Sequence, residues 1–519
     1  MIAATTVDTR MQDSVFAFLT DPATHPLVHR IDTHAASVFL EGDRALKIKR
    51  AVRFPFLDYS NLEKRKAACD EEIRINRQFA PQIYRRVVAI TQGDDGSLAI
   101  DGDGTPVEFA VEMARFDERQ TIDHLAAAGP LDSCLVDAIA DAIAASHVGA
   151  PLAAAEPWIE SIPAFVEGNT TAFRAAGCFP AAEIDDLQEA SQSAFRRIRG
   201  LLERRAGAGY VRRCHGDLHL ANIVLIDRKP VLFDAIEFDP VMASVDVLYD
   251  LAFPIMDFIR YGRHPAANAL LNRYLGKTSD ENIDALAALP LFLSLRSAIR
   301  AKVLLAHHGR NGRDQADIEQ SARTYFELAQ LAIHPPLPTL VAVGGLSGTG
   351  KSVLARALAP FVGPLPGAVV LRSDVLRKQQ FKVAETDRLP ESAYQPEVTN
   401  NIYEILGQRA FRILIQGHSA VLDAVFADES ERVAIGDIAR QLNIRLASLF
   451  LVADLATRLK RVGRRENDAS DATPEIAGRQ EHYDIGTVDW AVIDASGTPE
   501  HTLQQCQTRI AQGEPAVAR

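Results

Sequence analysis

The sequence has few residues that could cross-link the chain or hold it in a membrane. Five cysteines, at positions 69, 134, 178, 214 and 506, are scattered over 519 residues without a C-x-x-C pair. This spacing excludes a zinc-ribbon pattern and a disulfide framework, and it favours a reducing compartment. No uncharged apolar run reaches the roughly 18 residues of a membrane helix, and the first residues lack the pattern of a signal peptide. We therefore expect a cytoplasmic protein with no membrane partner.

Basic residues are scarce relative to acidic ones. Lysine and arginine number 56 against 68 aspartates and glutamates, which gives a net charge of -12. This balance disfavours a nucleic-acid partner, because such partners are bound through basic surfaces. Hydrophobic residues make up 47% of the chain, an ordinary value for a globular protein. At roughly 100–200 residues per domain, the length predicts two to four compact units.

One short segment is rich in proline. Residues 333–338 read IHPPLP, between a helical stretch and the apolar run TLVAVG. Proline cannot continue a helix and favours extended geometry in the residue before it. We predict one domain over 25–332, a stiff linker over 333–338 and a second domain over 339–512.

The second domain begins with a glycine-rich phosphate-binding motif, G-x-x-x-x-G-K-[ST], between an apolar strand and an amphipathic helix. Backbone N–H groups in such a loop point at a phosphate. Lys351 would reach the β- and γ-phosphates, and the Ser352 hydroxyl would hold magnesium. The motif predicts binding of ATP with Mg²⁺. The predicted nucleotide contacts are Gly345, Ser347, Gly348, Thr349, Gly350, Lys351 and Ser352.

Strands and helices alternate after this motif. Strands are predicted at 368–373, 420–426, 446–452 and 490–495, with helices near 395–416 and 429–441. The alternation predicts an α/β domain with a doubly wound parallel sheet and a ligand at the carboxyl ends of its strands. Asp374 and Asp423 follow or close two such strands, where a carboxylate can accept a proton from a hydroxyl or hold magnesium. The alternative is that each acid is a helix N-cap.

An arginine-rich segment, residues 458–479, lies near the end of the second domain. We interpret it as a lid that brings arginines onto the transferring phosphate. Thr473 and Pro474 read as the N-cap and first residue of a helix in this segment. The alternative is a solvated helix face.

The whole segment 338–512 resembles the small P-loop kinases, which include gluconate kinase, zeta toxin, chloramphenicol phosphotransferase and the kinase half of polynucleotide kinase. The D-x-x-R pair Asp374 and Arg377 carries the resemblance together with the P-loop. The resemblance implies that Asp374 is the general base and that Arg377 is a clamp for substrate or phosphate. It also implies that Arg464 and Arg465 are lid arginines.

A second constellation of polar residues lies in the first domain. The stretch 211–239 contains H-x-D-x-x-x-x-N as His215, Asp217 and Asn222, flanked by the apolar strands IVLI and VLF. Asp234 and Glu237 follow the second strand. A loop aspartate, an asparagine five residues on and an acid after the next strand can supply the base and the magnesium ligands of a kinase. The alternative is an acid-rich hairpin without catalytic function.

Such chemistry also needs a lysine on the phosphates, oriented by a helix carboxylate. Residues 38–50 predict a hairpin in which Lys47 and Lys49 share a face. We favour Lys47 and keep Lys49 as the alternative. Residues 69–80 predict a helix with Glu71 and Glu72 in its first turn, and we favour Glu72 as the partner. The strand-like segment 107–116, with Glu112 and Met113, would meet the adenine through its backbone.

The first domain resembles the aminoglycoside phosphotransferase and choline kinase superfamily, through HGDLHLANI and FDAIEF. The stretches FPFLDYSNLEKR and DVLYDLAFPIMDF resemble a bacterial subfamily in which this domain is fused to a P-loop kinase. The resemblance implies an α+β protein-kinase-like bilobal domain. It further implies that Asp217 is the catalytic base, that Asn222 and Asp234 bind magnesium, and that Glu237 assists.

Together these features predict a two-domain, ATP-dependent kinase. Each domain would bind ATP with Mg²⁺ and move the γ-phosphoryl group to a hydroxyl of a small-molecule acceptor. One alternative is a regulatory ATP sensor in which one domain controls the other. Another is a 5′-hydroxyl nucleic-acid kinase in the P-loop domain. The sequence leaves the acceptors and the oligomeric state open.

Overall fold

A computed structural model of the chain describes residues 9–54, 57–306, 315–464 and 468–512. By its internal contacts the chain divides into two units, Met1–Phe165 with Arg199–Asp257, and Val166–Ile198 with Phe258–Arg519. The second unit therefore contains helices from the N-terminal side of the prolines as well as the P-loop sheet. The domain limits drawn at 333–338 stay predictions.

Residues 10–114 form an antiparallel sheet with two helices. The elements are α1 (Arg10–Leu19), β1 (His29–Asp32), β2 (Ala36–Glu41), β3 (Arg44–Lys49), β4 (Arg53–Phe54), β5 (Leu57–Asp58), α2 (Leu62–Asn76), β6 (Tyr84–Gln92), β7 (Leu98–Ile100) and β8 (Thr105–Ala114). Six strands pair in the order β1-β2-β3-β8-β6-β7. The hairpin predicted over 38–50 is confirmed as β2 and β3, joined through Gly42 at a φ of +56°.

The two faces of this sheet pack against different elements. Leu46 and Ile48 of β3 share a buried cluster with α1. Val111 of β8 belongs to a second cluster, which includes Cys69 and Ile73 of α2. Lys47 lies opposite Val111 in the β3–β8 ladder, so side-chain alternation turns Lys47 to the α2 face.

Helix α2 differs from its prediction. It starts at Leu62 instead of residue 69 and ends at Asn76 instead of residue 80. Asn61 sets the start, since its side chain accepts a hydrogen bond of 2.9 Å from the Lys64 N–H and thereby caps the helix. Glu72 therefore lies within the helix and not in its first turn.

The next part of the chain is mainly helical, with short strands around the predicted loop. Its elements are α3 (Ile122–Ala128), α4 (Ser133–Gly149), α5 (Glu156–Ala176), α6 (Ala181–Gly207), β9 (Val211–Arg213), β10 (Ile223–Ile226), β11 (Lys229–Leu232), α7 (Pro240–Ala243), β12 (Ser244–Asp246), α8 (Val247–Arg260), α9 (His264–Lys277), α10 (Leu289–Ala306) and α11 (Gln315–Ile333). The predicted strands at IVLI and VLF are confirmed as the antiparallel pair β10–β11.

The P-loop region forms a parallel sheet, as predicted. Its elements are β13 (Thr339–Gly345), α12 (Lys351–Leu358), β14 (Val369–Arg372), α13 (Ser373–Gln380), α14 (Pro396–Ile415), β15 (Ala420–Asp423), α15 (Glu429–Leu442), β16 (Arg445–Val452), α16 (Leu455–Gly463), α17 (Pro474–Arg479), β17 (Ala491–Asp494) and α18 (Pro499–Gln512). The strand order is β14-β15-β13-β16-β17, and every pair is parallel. One predicted strand, 420–426, ends early, at Asp423.

Strand β14 is an edge of this sheet, and α9 covers it with side-chain amides. The Val370 N–H donates to Asn272 Oδ1 at 2.7 Å, and Asn272 Nδ2 donates to the Ala368 carbonyl at 3.2 Å. Asn268 Nδ2 donates to the same carbonyl at 3.0 Å. The amides thus pair with backbone groups that an edge strand would otherwise leave exposed.

The predicted fold class is confirmed. An antiparallel sheet followed by helices makes an α+β first part, and a parallel doubly wound sheet makes the P-loop part. In the described part of the chain, every helix is too short or too polar to cross a membrane.

Candidate active sites

Lys47 lies between two acids from distant parts of the chain. Its Nζ is 2.8 Å from Glu72 Oε1 on α2 and 2.6 Å from Asp234 Oδ1, which follows β11. Burial opposes the charge of this ammonium, but Asp234 and Glu72 outweigh it and raise the pKa of Lys47 well above its ordinary value. The predicted pairing of Lys47 with Glu72 is therefore present in the structure, and Asp234 joins it.

Lys49 makes a parallel set of contacts deeper in the protein. Its Nζ is 2.5 Å from Glu72 Oε2 and also bonds Glu237. Tyr59 donates a hydrogen bond of 3.2 Å to the same Glu237 oxygen. The Lys49 and Glu237 side chains are 3% and 6% exposed, against 13% for Lys47. Lys47 is thus the more accessible lysine, whereas Lys49 and Glu237 bind each other.

The competing glutamate, Glu71, lies on the outside of α2. Its carboxylate pairs with Arg74, with Nη2 to Oε1 at 2.5 Å. The Glu71 side chain is 36% exposed, and that of Glu72 is fully buried. Of the two candidates, only Glu72 lies at the lysines.

Asp234 is held in a strained conformation. Its φ is +61°, a value that non-glycine residues rarely adopt. Its N–H donates to the Tyr84 hydroxyl at 3.1 Å, and the next residue, Ala235, exchanges two hydrogen bonds with the Asn76 side chain, at 2.7 and 3.1 Å. Strain of this kind is found where the surroundings fix a functional side chain. Asn76, which sequence reasoning missed, is the last residue of α2 and fixes this turn.

Two side chains of the loop that carries Asp217 form hydrogen bonds with backbone carbonyls. Asn222 Nδ2 donates to the Asp217 carbonyl at 2.9 Å. His215 Nε2 lies 2.8 Å from the Phe233 carbonyl, and since a carbonyl only accepts, Nε2 carries the proton. Burial lowers the pKa of His215 and keeps it neutral. The Asp217 side chain is 40% exposed, so it remains accessible to a substrate hydroxyl.

Two acids of α8 hold the same loop and were missed by sequence reasoning. Asp250 Oδ1 accepts from the Gly216 N–H at 2.9 Å, and Asp257 Oδ2 accepts from the Leu220 N–H at 3.0 Å. They are seven residues apart, which places them on one helix face. The sequence signal that could have singled them out is an acid within the apolar stretch VLYDLAFPIMDF, and the structure buries both carboxylates fully or almost fully. They fix the loop backbone on both sides of Asp217.

A cavity of about 530 Å³ lies beside the strand predicted to meet adenine. It is lined by His29, Leu40, Gly42, Asp43 and residues 115–119. Met113 pairs with Ala45 in the ladder next to it. The Glu112 side chain is bound to Arg86, with Nε to Oε2 at 3.0 Å. The Glu112 side chain is thus bound to Arg86, and the contact of the backbone of this segment with adenine stays a prediction.

The side chains near Lys47 fit a divalent cation. Asp234 is 42% exposed, and the Asn222 amide nitrogen is used by the Asp217 carbonyl, which leaves its oxygen as the atom for a metal. Carboxylate and amide oxygens are the ligands that Mg²⁺ accepts. Glu237 is bound by Lys49 and Tyr59 instead, and its assignment to the metal stays a prediction.

The P-loop has the backbone that its motif requires. Gly345 has a φ of +131°, and a Cβ there would lie 2.4 Å from the Leu451 carbonyl oxygen. Gly348 has a φ of +89°, and a Cβ there would lie 2.6 Å from the Arg458 carbonyl oxygen. Only glycine fits at either position. Gly350 caps α12 in a left-handed conformation, so that Lys351 and Ser352 begin the helix.

Side chains from the arginine-rich segment, and Gln480 directly after it, form hydrogen bonds with the backbone of the P-loop. Arg458 Nε donates to the Ser347 carbonyl at 2.8 Å, and Arg461 Nη1 donates to the Thr349 carbonyl at 3.4 Å. Gln480 Oε1 accepts from the Ser347 N–H at 2.7 Å. Lys351 Nζ donates to the Leu346 carbonyl at 3.2 Å. The predicted N-cap at Thr473 is confirmed.

Of the two predicted lid arginines, the structure describes Arg464. Arg464 follows α16 and is exposed. Arg465 lies outside the described residues. Of the described arginines in this segment, Arg458 and Arg461 contact the P-loop, and they lie five and two residues before the end of α16. The lid roles of Arg464 and Arg465 stay predictions.

Asp374 lies in the first turn of α13 and has a perturbed carboxyl group. Burial and the neighbouring Asp423 raise the pKa of Asp374 above its ordinary value, against Arg372 and Lys351. A carboxylate with a raised pKa is a better proton acceptor at neutral pH. The geometry is therefore compatible with the predicted role of Asp374 as a base.

Arg377 is buried beneath the segment that follows α13. Its Nη1 donates to the Ala393 carbonyl at 2.5 Å, and its guanidinium lies 4.8 Å from the centre of the Tyr394 ring. It is 6% exposed. The structure gives this side chain a role in holding the 391–394 turn, and direct contact with a substrate stays a prediction.

The predicted magnesium ligands of this site, Ser352 and Asp423, are bridged by a residue that sequence reasoning missed. Arg372 Nε donates to Asp423 Oδ2 at 3.1 Å, and its Nη2 donates to Ser352 Oγ at 3.2 Å. A hydroxyl and a carboxylate are hard oxygen ligands that fit Mg²⁺. In this structure the Arg372 guanidinium donates a hydrogen bond to each of these two groups.

Comparison with known proteins extends over both parts of the chain. Residues 340–482 match the family described as AAA domain. An uncharacterized protein of Mycobacterium tuberculosis is 28% identical over 499 residues, which cover 92% of this chain and 95% of the relative. A gluconokinase from Sinorhizobium meliloti 1021 is similar over 34% of this chain and 93% of its own, with 19% identity and a TM-score of 0.25. A choline/ethanolamine kinase family protein from Mesorhizobium loti is similar over 62% of this chain and 99% of its own, with 13% identity and a TM-score of 0.35.

Proposed function

We propose that the chain is an ATP-dependent phosphotransferase with two nucleotide sites, each moving the γ-phosphoryl group to a hydroxyl of a small molecule. The observation that carries this proposal is the position of Lys47 between Glu72 and Asp234. A lysine braced by a helix carboxylate, beside an acid that can hold a cation, is the arrangement that kinase chemistry requires.

In the first site each side chain has a separate task. Lys47 binds the phosphates and Glu72 keeps it in place. Asp234 and Asn222 hold Mg²⁺, which neutralises charge on the phosphates when bound. Asp217 takes the proton of the acceptor hydroxyl as the oxygen attacks phosphorus, and its exposure of 40% allows that contact. Positioning and charge compensation supply most of the rate.

In the second site the P-loop supplies the phosphate contacts. Lys351 and loop N–H groups other than that of Ser347, which donates to Gln480, bind the phosphates, while Ser352 and Asp423 hold the cation. Asp374, with its raised pKa, takes the proton of the second acceptor. Arg458 and Arg461 stabilise the loop through its carbonyls.

Calorimetry with a nonhydrolysable ATP analogue and Mg²⁺ tests the two sites on the full chain. We expect a stoichiometry near two, because the phosphate anchors, Lys47 and Lys351, lie in different units. Lys351→Ala should reduce it to about one and leave turnover at the first site unchanged. An exposed-lysine variant, Lys66→Ala, is the control, since the Lys66 side chain is 49% exposed and pairs with Asp70 on the surface.

An ADP-release screen over sugars, amino alcohols, aminoglycosides and nucleosides then identifies the acceptors. Two occupied sites without phosphoryl transfer to any hydroxyl compound would favour the regulatory sensor. A stoichiometry of one, abolished by Lys351→Ala, would remove the first site from the proposal.

A further inference from the structure

The guanidinium of Arg372 makes three hydrogen bonds at the carboxyl end of β14. Nε donates to Asp423 Oδ2 at 3.1 Å, and Nη2 donates to Ser352 Oγ at 3.2 Å and to Asp468 Oδ1 at 2.9 Å. Nε carries one hydrogen and Nη2 carries two, so these bonds use all three. The side chain is 8% exposed. The guanidinium is therefore buried and held by three hydrogen bonds, unlike the exposed partner of a surface ion pair.

Two of these three partners are the oxygens assigned to the metal. A cation bound to both Ser352 Oγ and Asp423 would have the guanidinium as an immediate neighbour. Two positive charges that share buried oxygen partners repel each other strongly, because little water is present to screen them. Arg372 and a divalent cation at these oxygens would therefore weaken each other's contacts.

We propose that Arg372 is an internal cation of the P-loop site, which competes with Mg²⁺ for Ser352 and Asp423. This inference rests on the proposed function of that site. Metal binding weakens the contacts of the guanidinium with these two oxygens, and Asp468 is the partner that it can retain. Burial opposes its charge, but Asp423 and Asp468 raise the pKa of Arg372, so it stays charged throughout. Arg372 thus sets the metal affinity of the second site.

Asp468 connects this residue to the segment that precedes α17. In the same segment Asp471 Oδ1 lies 2.6 Å from Lys378 Nζ, and Asp471 Oδ2 accepts from the Tyr394 hydroxyl at 2.5 Å. Residues near 468–471 are thus bound to α13, at Arg372 just before it and at Lys378 within it. Movement of Arg372 away from Ser352 would be transmitted to this segment through Asp468.

Mn²⁺ titration of the full chain tests the competition. Trp490 packs at the start of the P-loop, since a Cβ on Gly344, the residue before Gly345, would lie 3.1 Å from its ring. The chain has two tryptophans, so a Trp158→Phe background makes the quenching of Trp490 by Mn²⁺ a local signal. Arg372→Met and Arg372→Gln remove the charge, and Arg372→Lys retains it. Arg440→Met on the surface of α15 is the matched control, since Arg440 is 73% exposed.

We expect the apparent Kd for Mn²⁺ to fall about tenfold in the Met and Gln variants, the size of one close charge interaction. The Lys variant and Arg440→Met should stay within about threefold of the parent. An unchanged or higher Kd in both neutral variants would overturn the inference, as would equal changes in the Lys and Gln variants. If Arg372→Met does not fold, the Gln variant decides alone.

Calorimetry with the nucleotide analogue, together with the Mn²⁺ titration, separates this inference from the proposed function. Loss of analogue binding in Lys351→Ala tests the nucleotide site without reference to Arg372. If the parent chain binds no nucleotide there, the proposed function of the second site fails. If it binds nucleotide and the neutral variants leave Mn²⁺ affinity unchanged, only the role of Arg372 fails.

Discussion

Replacing Glu72 with glutamine tests the centre of the first site. Glu72 is fully buried and contacts Lys47 at 2.8 Å and Lys49 at 2.5 Å. Glutamine keeps the size of the side chain and one acceptor oxygen, but it removes the charge that both lysines share. Lys47 then keeps Asp234, and Lys49 keeps Glu237.

The pKa of Glu72 gives the magnitude of the expected change in the free energy of unfolding. Burial would raise this pKa, yet Lys47 and Lys49 lower it from 4.5 to about 2. One pKa unit corresponds to about 1.4 kcal/mol, so ionised Glu72 contributes about 3 kcal/mol to the free energy of unfolding at neutral pH. Because the folded-state pKa is the lower one, the contribution is complete above the unfolded value of 4.5 and is lost as the pH falls towards 2.

Urea denaturation of the full chain measures this difference. Trp158 is 2% exposed and lies in the first unit, whereas Trp490 lies in the second. A Trp490→Phe background therefore makes tryptophan fluorescence report on the first unit. We expect Glu72→Gln to lose about 3 kcal/mol at pH 7, with little dependence on salt because the pair is buried. The loss should shrink at pH values below 4.5.

Glu71→Gln is the matched control. Glu71 is the adjacent residue, and its pair with Arg74 is exposed, so the loss should stay below about 1 kcal/mol and decrease with salt. Equal losses in the two variants, or a loss in Glu72→Gln that does not change with pH, would refute the assignment of Glu72 to the buried lysine pair.

Three further predictions concern the proposed bases, Asp217 and Asp374. Asp217→Asn should retain nucleotide binding in calorimetry but lower first-site turnover by a factor on the order of 100–10,000; unchanged turnover would remove Asp217 from the mechanism. Second-site activity should fall on acidification at a higher pH than for an aspartate with its ordinary pKa, because burial and Asp423 raise the pKa of Asp374. Asp374→Ala should abolish that transfer while ATP still binds, and loss of ATP binding instead would assign Asp374 to the metal or to folding.

The sequence predicted those parts of the sites that local spacing determines. Side-chain alternation placed Lys47 on the correct face of β3, and the P-loop pattern placed Lys351 and Ser352 at the start of a helix. The predicted start of α2 at residue 69 was wrong, because the Asn61 cap outweighs the later acids in setting where the helix begins.

Other residues could not be predicted because their roles depend on distant parts of the chain. Asp250 and Asp257 bind backbone groups about 35 residues earlier in sequence. Arg372 reaches Asp468 across 96 positions. Neither contact has a local pattern, since an acid in an apolar helix or an arginine at a strand end has many possible partners.

The amide contacts between α9 and β14 have a consequence for how the gene can be divided. A fragment that starts at the prolines retains the P-loop sheet but loses Asn268 and Asn272, and with them the partners of Ala368 and Val370. Its outermost strand would then present free N–H and C=O groups, to which a second copy can add a strand. Expression of the P-loop half alone should therefore begin before His264, and recombination at the proline codons would produce a self-associating product.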